Sequence, residues 1–408
     1  MKPIIKHTKC FNTIHIKFLF PFKLNIENIA DISILPLLLV KTNKQYPTED
    51  SFRKALIDNY IIDIGCSVKT IAYQRFLIFT LIIPDVKTIK EDYTKKSIEF
   101  FIKTIYEPNI VNNQFDSKIF EENRQVLITR MHNDLKNVDF YNYQQLINLV
   151  DIKGEAKKNL VNYQEQLETL NPQTTFQFYQ QIVLEKSPYI YVIGDVDDKI
   201  NAYFDNFKKE QFPIDSDLTY YTPKISDEVV IKEEVKPFFK SCLNYVYNVK
   251  NMTKNDIVYL QLVGNLLSSG SSDLLMKYLR LEGKLVYHAD SSVFSNYGVL
   301  LIEAWIAKNS KEKAMELIEK VMEEIKKRET IEQILDDIKE ENRLQLIRSK
   351  DSQISMLNQI IYAENLKVSL EENERYEIIK KVTVDDLLKF IDRLELNVIY
   401  YLEGDQSE

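Results

Sequence analysis

Several things this chain lacks narrow what it can be. Glycine is scarce, eight in 408 residues and none clustered, so no glycine-rich loop is present. Cysteine is limited to Cys10, Cys66 and Cys242, odd in number and far apart. That excludes a disulfide framework and points to reduced thiols in a cytoplasmic compartment. The four histidines, His7, His15, His132 and His288, include no two placed three or four residues apart, which excludes a histidine pair one helical turn apart. His7-x-x-Cys10 is half of a metal pair with no second half, and His132, in Met131-His132-Asn133-Asp134, reads as an exposed helical turn. No run of about 18 apolar residues exists that would span a membrane. The nearest candidate, Ile32 to Val40, is about half that length. Lys2, Lys6 and Lys9 precede a strand-like run, Ile14 to Phe22, with no small-residue cleavage site, so no secretory signal is expected. A net charge of −8 argues against nucleic acid, whose phosphates call for a basic face.

What is present suits a globular protein of more than one domain. Apolar residues make up 45% and charged residues 28%, enough to bury sizeable cores over a length too great for one ordinary core. A polar, proline-bearing stretch with Asp215, Asp217, Pro223, Asp227, Glu233 and Glu234 reads as a linker. It sets expected boundaries at 1–211, 212–237 and 238–408. The two halves share one order of elements. In the first, a helix at Ser51–Asn59 precedes strand runs Ile62–Ala72 and Phe76–Ile83. A helix follows with Ile98, Phe101, Ile102 and Ile105 on one face, stopped by Pro108. In the second, a helix at Asp273–Leu281 precedes strands Leu285–Phe294 and Val299–Ile306. A helix from Lys311 then carries Ala314, Leu317, Ile318, Val321 and Ile325. The strand pairs align without a gap. Each half closes with a helix start, Asn171-Pro172 or Thr383-Val384-Asp385-Asp386. A strand follows each and ends in Gly-Asp, at Gly194-Asp195 and Gly404-Asp405. The expected fold class is α+β, two tandem homologous domains, each an antiparallel sheet backed by helices. The mixed-sign helices over Lys311–Glu341 read as solvated faces. Abundant Lys, Asn and Ile suggest an A/T-rich, bacterial genome.

The most informative stretch runs from Ser271 to Ala289, S-S-D-L-L-M-K-Y-L-R-L-E-G-K-L-V-Y-H-A. It reads as a helix, a one-glycine turn and a strand, with Arg280 and Tyr287 seven residues apart across the turn. On spacing alone, a packed strand tyrosine and an arginine meeting a helix dipole would look the same. Tyr278 and His288 read as packing or surface, and Ser268-Ser269-Gly270-Ser271-Ser272 as a turn capping the helix.

This stretch resembles the second half of the pitrilysin/insulinase family of zinc peptidases, in which such an arginine and tyrosine grip the substrate opposite the zinc. That family carries H-x-x-E-H on its first long helix, two histidines holding zinc and a glutamate acting as base. Val40-Lys41-Thr42-Asn43-Lys44-Gln45-Tyr46-Pro47 is similar to the family's segment after that motif, and counting back places Ser33, Pro36 and Leu37 in the motif's key positions. Phe120 to Thr129 is similar to the family's E-x-x-x-V-x-x-E segment, with Glu122 kept and Thr129 where the third ligand stands. The resemblance therefore implies a zinc-less, non-catalytic member of a bacterial two-chain type, forming one half of a clam-shell chamber. It implies no metal or other cofactor in this chain and no hydrolysis by the chain alone. Arg280 would bind substrate and Tyr287 would supply a transition-state hydrogen bond in trans. The implied partners are a zinc-bearing peptidase of the same family and similar size, and an unfolded peptide substrate. Alternatives are a structural scaffold or a peptide-holding module that cuts nothing.

Overall fold

A computed structural model of the chain describes residues 2–23, 28–71, 74–150, 163–214, 228–269 and 273–405. Strands β1 (Ile4–His7), β2 (Thr13–Phe22), β3 (Asp63–Ile71), β4 (Gln74–Pro84) and β7 (Tyr189–Gly194) form one five-stranded sheet, in the order β1-β7-β2-β4-β3. A small hairpin joins β5 (Ile110–Val111) to β6 (Gln114–Phe115). The second sheet holds β8 (Val230–Lys236), β9 (Ser241–Val249), β10 (Val286–Phe294), β11 (Val299–Ile306) and β12 (Leu394–Gly404), in the order β10-β11-β9-β12-β8. Matching strands occupy matching places, so the repeat is topological as well as sequential. Each sheet is antiparallel except at one edge, where β1 runs parallel to β7 and β8 parallel to β12.

The patterning that makes these elements is direct. Along β2, Ile14, Ile16, Phe18, Phe20 and Phe22 enter the first core, while Thr13, His15 and Lys17 alternate to the other face. In the helix Thr94–Tyr106, the side chains of Ile98, Phe101 and Ile105 are fully buried. Each contributes about 1.5–3 kcal/mol of transfer free energy. The second core gathers Leu243, Tyr245, Leu300 and Ile302 from the sheet, and Ala314, Leu317, Ile318 and Val321 from the helix Lys311–Glu324. Caps fall where the residues place them. Asn171 Oδ1 accepts from the Gln173 and Thr174 amides with Pro172 in the first turn, and Thr383 forms a capping box with Asp386. Gly194 and Gly404 end equivalent strands where a Cβ would come within 3.0 Å of Thr13 O and 2.4 Å of Phe238 O, respectively.

The chain divides into two compact units that are not the contiguous blocks expected. One comprises Met1–Asn133, Lys158–Leu218 and Ser352–Leu366, the other Asp134–Lys157, Thr219–Asp351 and Lys367–Glu408. The helix Val138–Leu149 therefore belongs with the second sheet, and the helix Gln353–Gln359 with the first. The expected linker 212–237 also contains a strand, β8. Its charged residues satisfy an edge, where alternate side chains need no burial. Asp215, Asp217, Pro223 and Asp227 lie outside the described residues.

Candidate functional site

The helix leading to Arg280 begins at Leu274 and runs from Met276 to Glu282 as a π-helix, with a Gly283 N–H to Tyr278 O bond of 2.9 Å. Asp273 Oδ1 caps it by accepting from Met276 N at 2.9 Å, the role expected of the serines, of which Ser271 and Ser272 lie outside the described residues. Leu275, Tyr278 and Leu279 enter the core, leaving Lys277, Arg280 and Leu281 exposed. The chain then folds back, Lys284 N donating to Arg280 O at 3.2 Å and Leu285 N to Leu279 O at 3.0 Å. Two adjacent residues make this turn costly. A Cβ on Gly283 would sit 2.6 Å from Leu317 Cδ1 and 3.0 Å from two helix carbonyls. A side chain there would make Leu317 shift, and the left-handed backbone falls on Lys284, at φ 55°.

Beyond the turn, the ladder between β10 and β11 slips. Val286 pairs with Ile306 and His288 with Trp305, so Tyr287 is the extra residue of a β-bulge. Its side chain is 65% exposed. Among the described residues, neither the Tyr287 nor the Arg280 side chain has a hydrogen-bond or ion-pair partner. Arg280 lies in the last helical turn, where the dipole favours a cation, and its guanidinium is free to bind elsewhere. Sequence spacing could not reveal the bulge, because it is set by the register of β10 on β11. Tyr278 is a core residue and His288 a surface one.

The positions equivalent to the zinc motif offer no ligands. On the helix Ile29–Leu38, Ser33 Oγ donates back to Ile29 O at 2.7 Å. Pro36 sits inside the helix without an N–H, and Leu37 packs against the first core. Thr129 and Glu122 are exposed on the helix Ser117–Lys136. Among the described residues, no three His, Cys, Asp or Glu side chains lie close enough to hold a metal ion. His7 is occupied otherwise, its Nδ1 at 2.8 Å from Val196 O. A hydroxyl, a proline and an isobutyl group supply neither ligands nor base, so these residues do not fit a zinc ion.

The faces of the two sheets turned away from the main cores carry polar residues that sequence reasoning missed. In the second unit, Asn142 Nδ2 donates at 3.0 Å to both Asn244 Oδ1 and Glu303 Oε2, and Trp305 Nε1 donates to Glu303 Oε1 at 2.8 Å. Burial holds the Glu303 carboxyl above its usual range. Asn244 pairs in the ladder with Glu303 and Tyr400. The corresponding place in the first sheet is Lys17, paired with Thr80 and Tyr191. Lys17 Nζ donates to Asn358 Oδ1 at 3.1 Å, and burial, with Lys69 nearby, lowers its ammonium to about 8. Next to it His15 is buried with Nδ1 unpaired, and burial with the Lys17 charge lowers it to about 4.

Residues 169–342 match the family model of the Peptidase M16 inactive domain. The chain is similar to a probable inactive metalloprotease, YmfF, of Bacillus subtilis, 21% identical over 99% of this chain and 96% of that one. A crystal structure of a conserved protein from Enterococcus faecalis has a TM-score of 0.87 at 21% identity, covering 99% of this chain and 96% of the other. A protease from Helicobacter pylori has a TM-score of 0.75 at 16% identity, covering 98% and 96%.

Proposed function

We propose that the chain is an inactive member of the M16, or pitrilysin/insulinase, family, whose inactive-domain model matches residues 169–342, and that it is the non-catalytic subunit of a two-chain peptidase. It binds an extended peptide and supplies Arg280 and Tyr287 to a zinc-bearing partner of the same family. The observation that carries this reading is that both side chains are exposed and unpartnered at one folded-back turn, with Tyr287 on a bulge. The guanidinium is a permanent cation with a fork of donors, suited to the main-chain carbonyls of an extended peptide. The tyrosine hydroxyl donates to the scissile carbonyl oxygen as negative charge builds on it. Metal chemistry belongs to the partner, and the subunit by itself hydrolyses no peptide.

No described helix is long and apolar enough to cross a membrane. Free Cys10, Cys66 and Cys242 fit a reducing compartment, and we assign the complex to the cytoplasm on that ground.

The test is Tyr287→Phe in the reconstituted pair. With one oxyanion donor removed, kcat should fall about a hundredfold to a thousandfold, with much less change in KM. Stability should stay within about 0.5 kcal/mol, as for an exposed side chain with no partner. Normal turnover by the variant would end the in-trans role and favour a scaffold or a peptide-holding module.

A further inference from the structure

The far edge of the second sheet carries a different kind of surface. β8 is the last strand in its order, pairing among the described residues with β12 alone. Its counterpart β1 is four residues long, whereas β8 runs for seven. Edge strands that stay unpaired are normally short or guarded by free charges. Here the charges also make contacts within their own unit. Lys232 Nζ donates to Gln145 Oε1 at 3.0 Å. Glu234 accepts from Tyr141 at 2.7 Å and Tyr400 at 3.2 Å and pairs with Lys236 at 3.1 Å, while Glu233 pairs with Lys311. What the edge offers is apolar: Ile231 is 64% exposed and Val235 59%, both on the face shared with Glu233.

We propose that β8 is a self-association edge, pairing antiparallel with β8 of a second copy of this chain about a two-fold axis through Glu233. The sequence of the strand is complementary to itself in that register alone. Ile231 meets Val235 on one face. On the other, Lys232 meets Glu234, joining unlike charges across the ladder. The two Glu233 carboxylates face each other at the axis, each neutralised by its own Lys311. Sliding the strands by two residues either way places Lys232 opposite Lys232 or opposite Lys236 and sets an apolar residue against Glu233. Charge pattern and apolar pattern therefore select one register and one occupant. The inference stands apart from the peptidase reading and needs no contact with Arg280 or Tyr287.

Sedimentation equilibrium of the full chain over a wide concentration range tests it. The expected result is reversible association reaching twice the mass of one chain. Ile231→Lys and, separately, Val235→Lys should weaken association roughly tenfold or more. Unchanged melting would show that the exposed substitutions leave the fold intact. A single-chain mass at every concentration would overturn the proposal, as would association that both variants leave intact. Adding a zinc-bearing family member gives a further outcome. A mixed complex lost on Ile231→Lys, with no self-association of the wild type, would assign this edge to another protein and also overturn it.

Discussion

The hairpin β3–β4 of the first unit and the hairpin β10–β11 of the second occupy the same place in matching sheets, and they differ by one residue. The first keeps an unbroken register from Asp63 opposite Ile82 to Ile71 opposite Gln74. The second inserts Tyr287 as a bulge and holds the preceding Lys284 in a left-handed conformation. A duplicated fold thus preserves its strand order and a left-handed residue in the turn before the hairpin, Tyr60 at φ 54° and Lys284 at φ 55°, while the register slips in the copy that displays an unpartnered tyrosine. Strain of this kind costs about 1–3 kcal/mol and persists only where the surroundings impose it. The units also solve the same central position differently, the second with a closed amide and carboxylate network at Asn244, the first with a cation at Lys17.

The sharpest way to break that second contrast is to remove both central groups. Asn244→Leu leaves Asn142 without its amide partner on the sheet, beside a buried carboxylate. It should cost about 2–4 kcal/mol by denaturant unfolding. Lys17→Met removes a half-buried cation whose one hydrogen-bond partner among the described residues is neutral, and at pH 7 should stabilise by about 1 kcal/mol. Opposite signs at equivalent positions are the expected result; equal losses would show that Lys17 is a structural partner.

His15 gives a pH test of the first unit. Its folded value, about 4, lies below the ordinary 6.5, so the unfolded chain binds the extra proton first as pH falls. The stability it contributes is complete above 6.5 and is lost as pH falls towards 4, by at most about 3 kcal/mol. The groups acting on it are Lys17, which lowers it further, and Asp63, which opposes. His15→Gln should flatten melting temperature against pH across that window; an unaltered slope would place the acid sensitivity elsewhere.

The smallest expected effect is at the turn. Lys284→Gly relieves the left-handed penalty and should raise stability by roughly 0.5–1 kcal/mol in thermal unfolding. Gly283→Ala next to it should destabilise, because the new methyl meets Leu317. If both substitutions behave alike, the division of roles between the two residues is wrong.

Much of this was legible in the sequence, for local reasons. The strand pairs at 62–83 and 285–306 carry short runs rich in β-branched and other apolar residues, the helix Thr94–Tyr106 carries its i, i+3, i+4 stripe, and caps at Asn171 and Thr383 announce themselves. Arg280 and Tyr287 were visible through their turn. What was not legible depends on distant partners. Nothing in Val138–Leu149 says that Asn142 will meet Asn244 and Glu303, or in Gln353 that it will donate to Thr13 O and Ile193 O. β8 was hidden because an edge strand tolerates the charges of a linker. The bulge was hidden because register is a property of two strands.

The central claim is that this chain works beside a zinc-bearing relative. Purifying it from its native cells under mild conditions and identifying its companions by mass spectrometry tests that most directly. The account predicts a stoichiometric chain of similar size carrying H-x-x-E-H. Recovery of the protein alone, or with companions that bear no zinc motif, would contradict it.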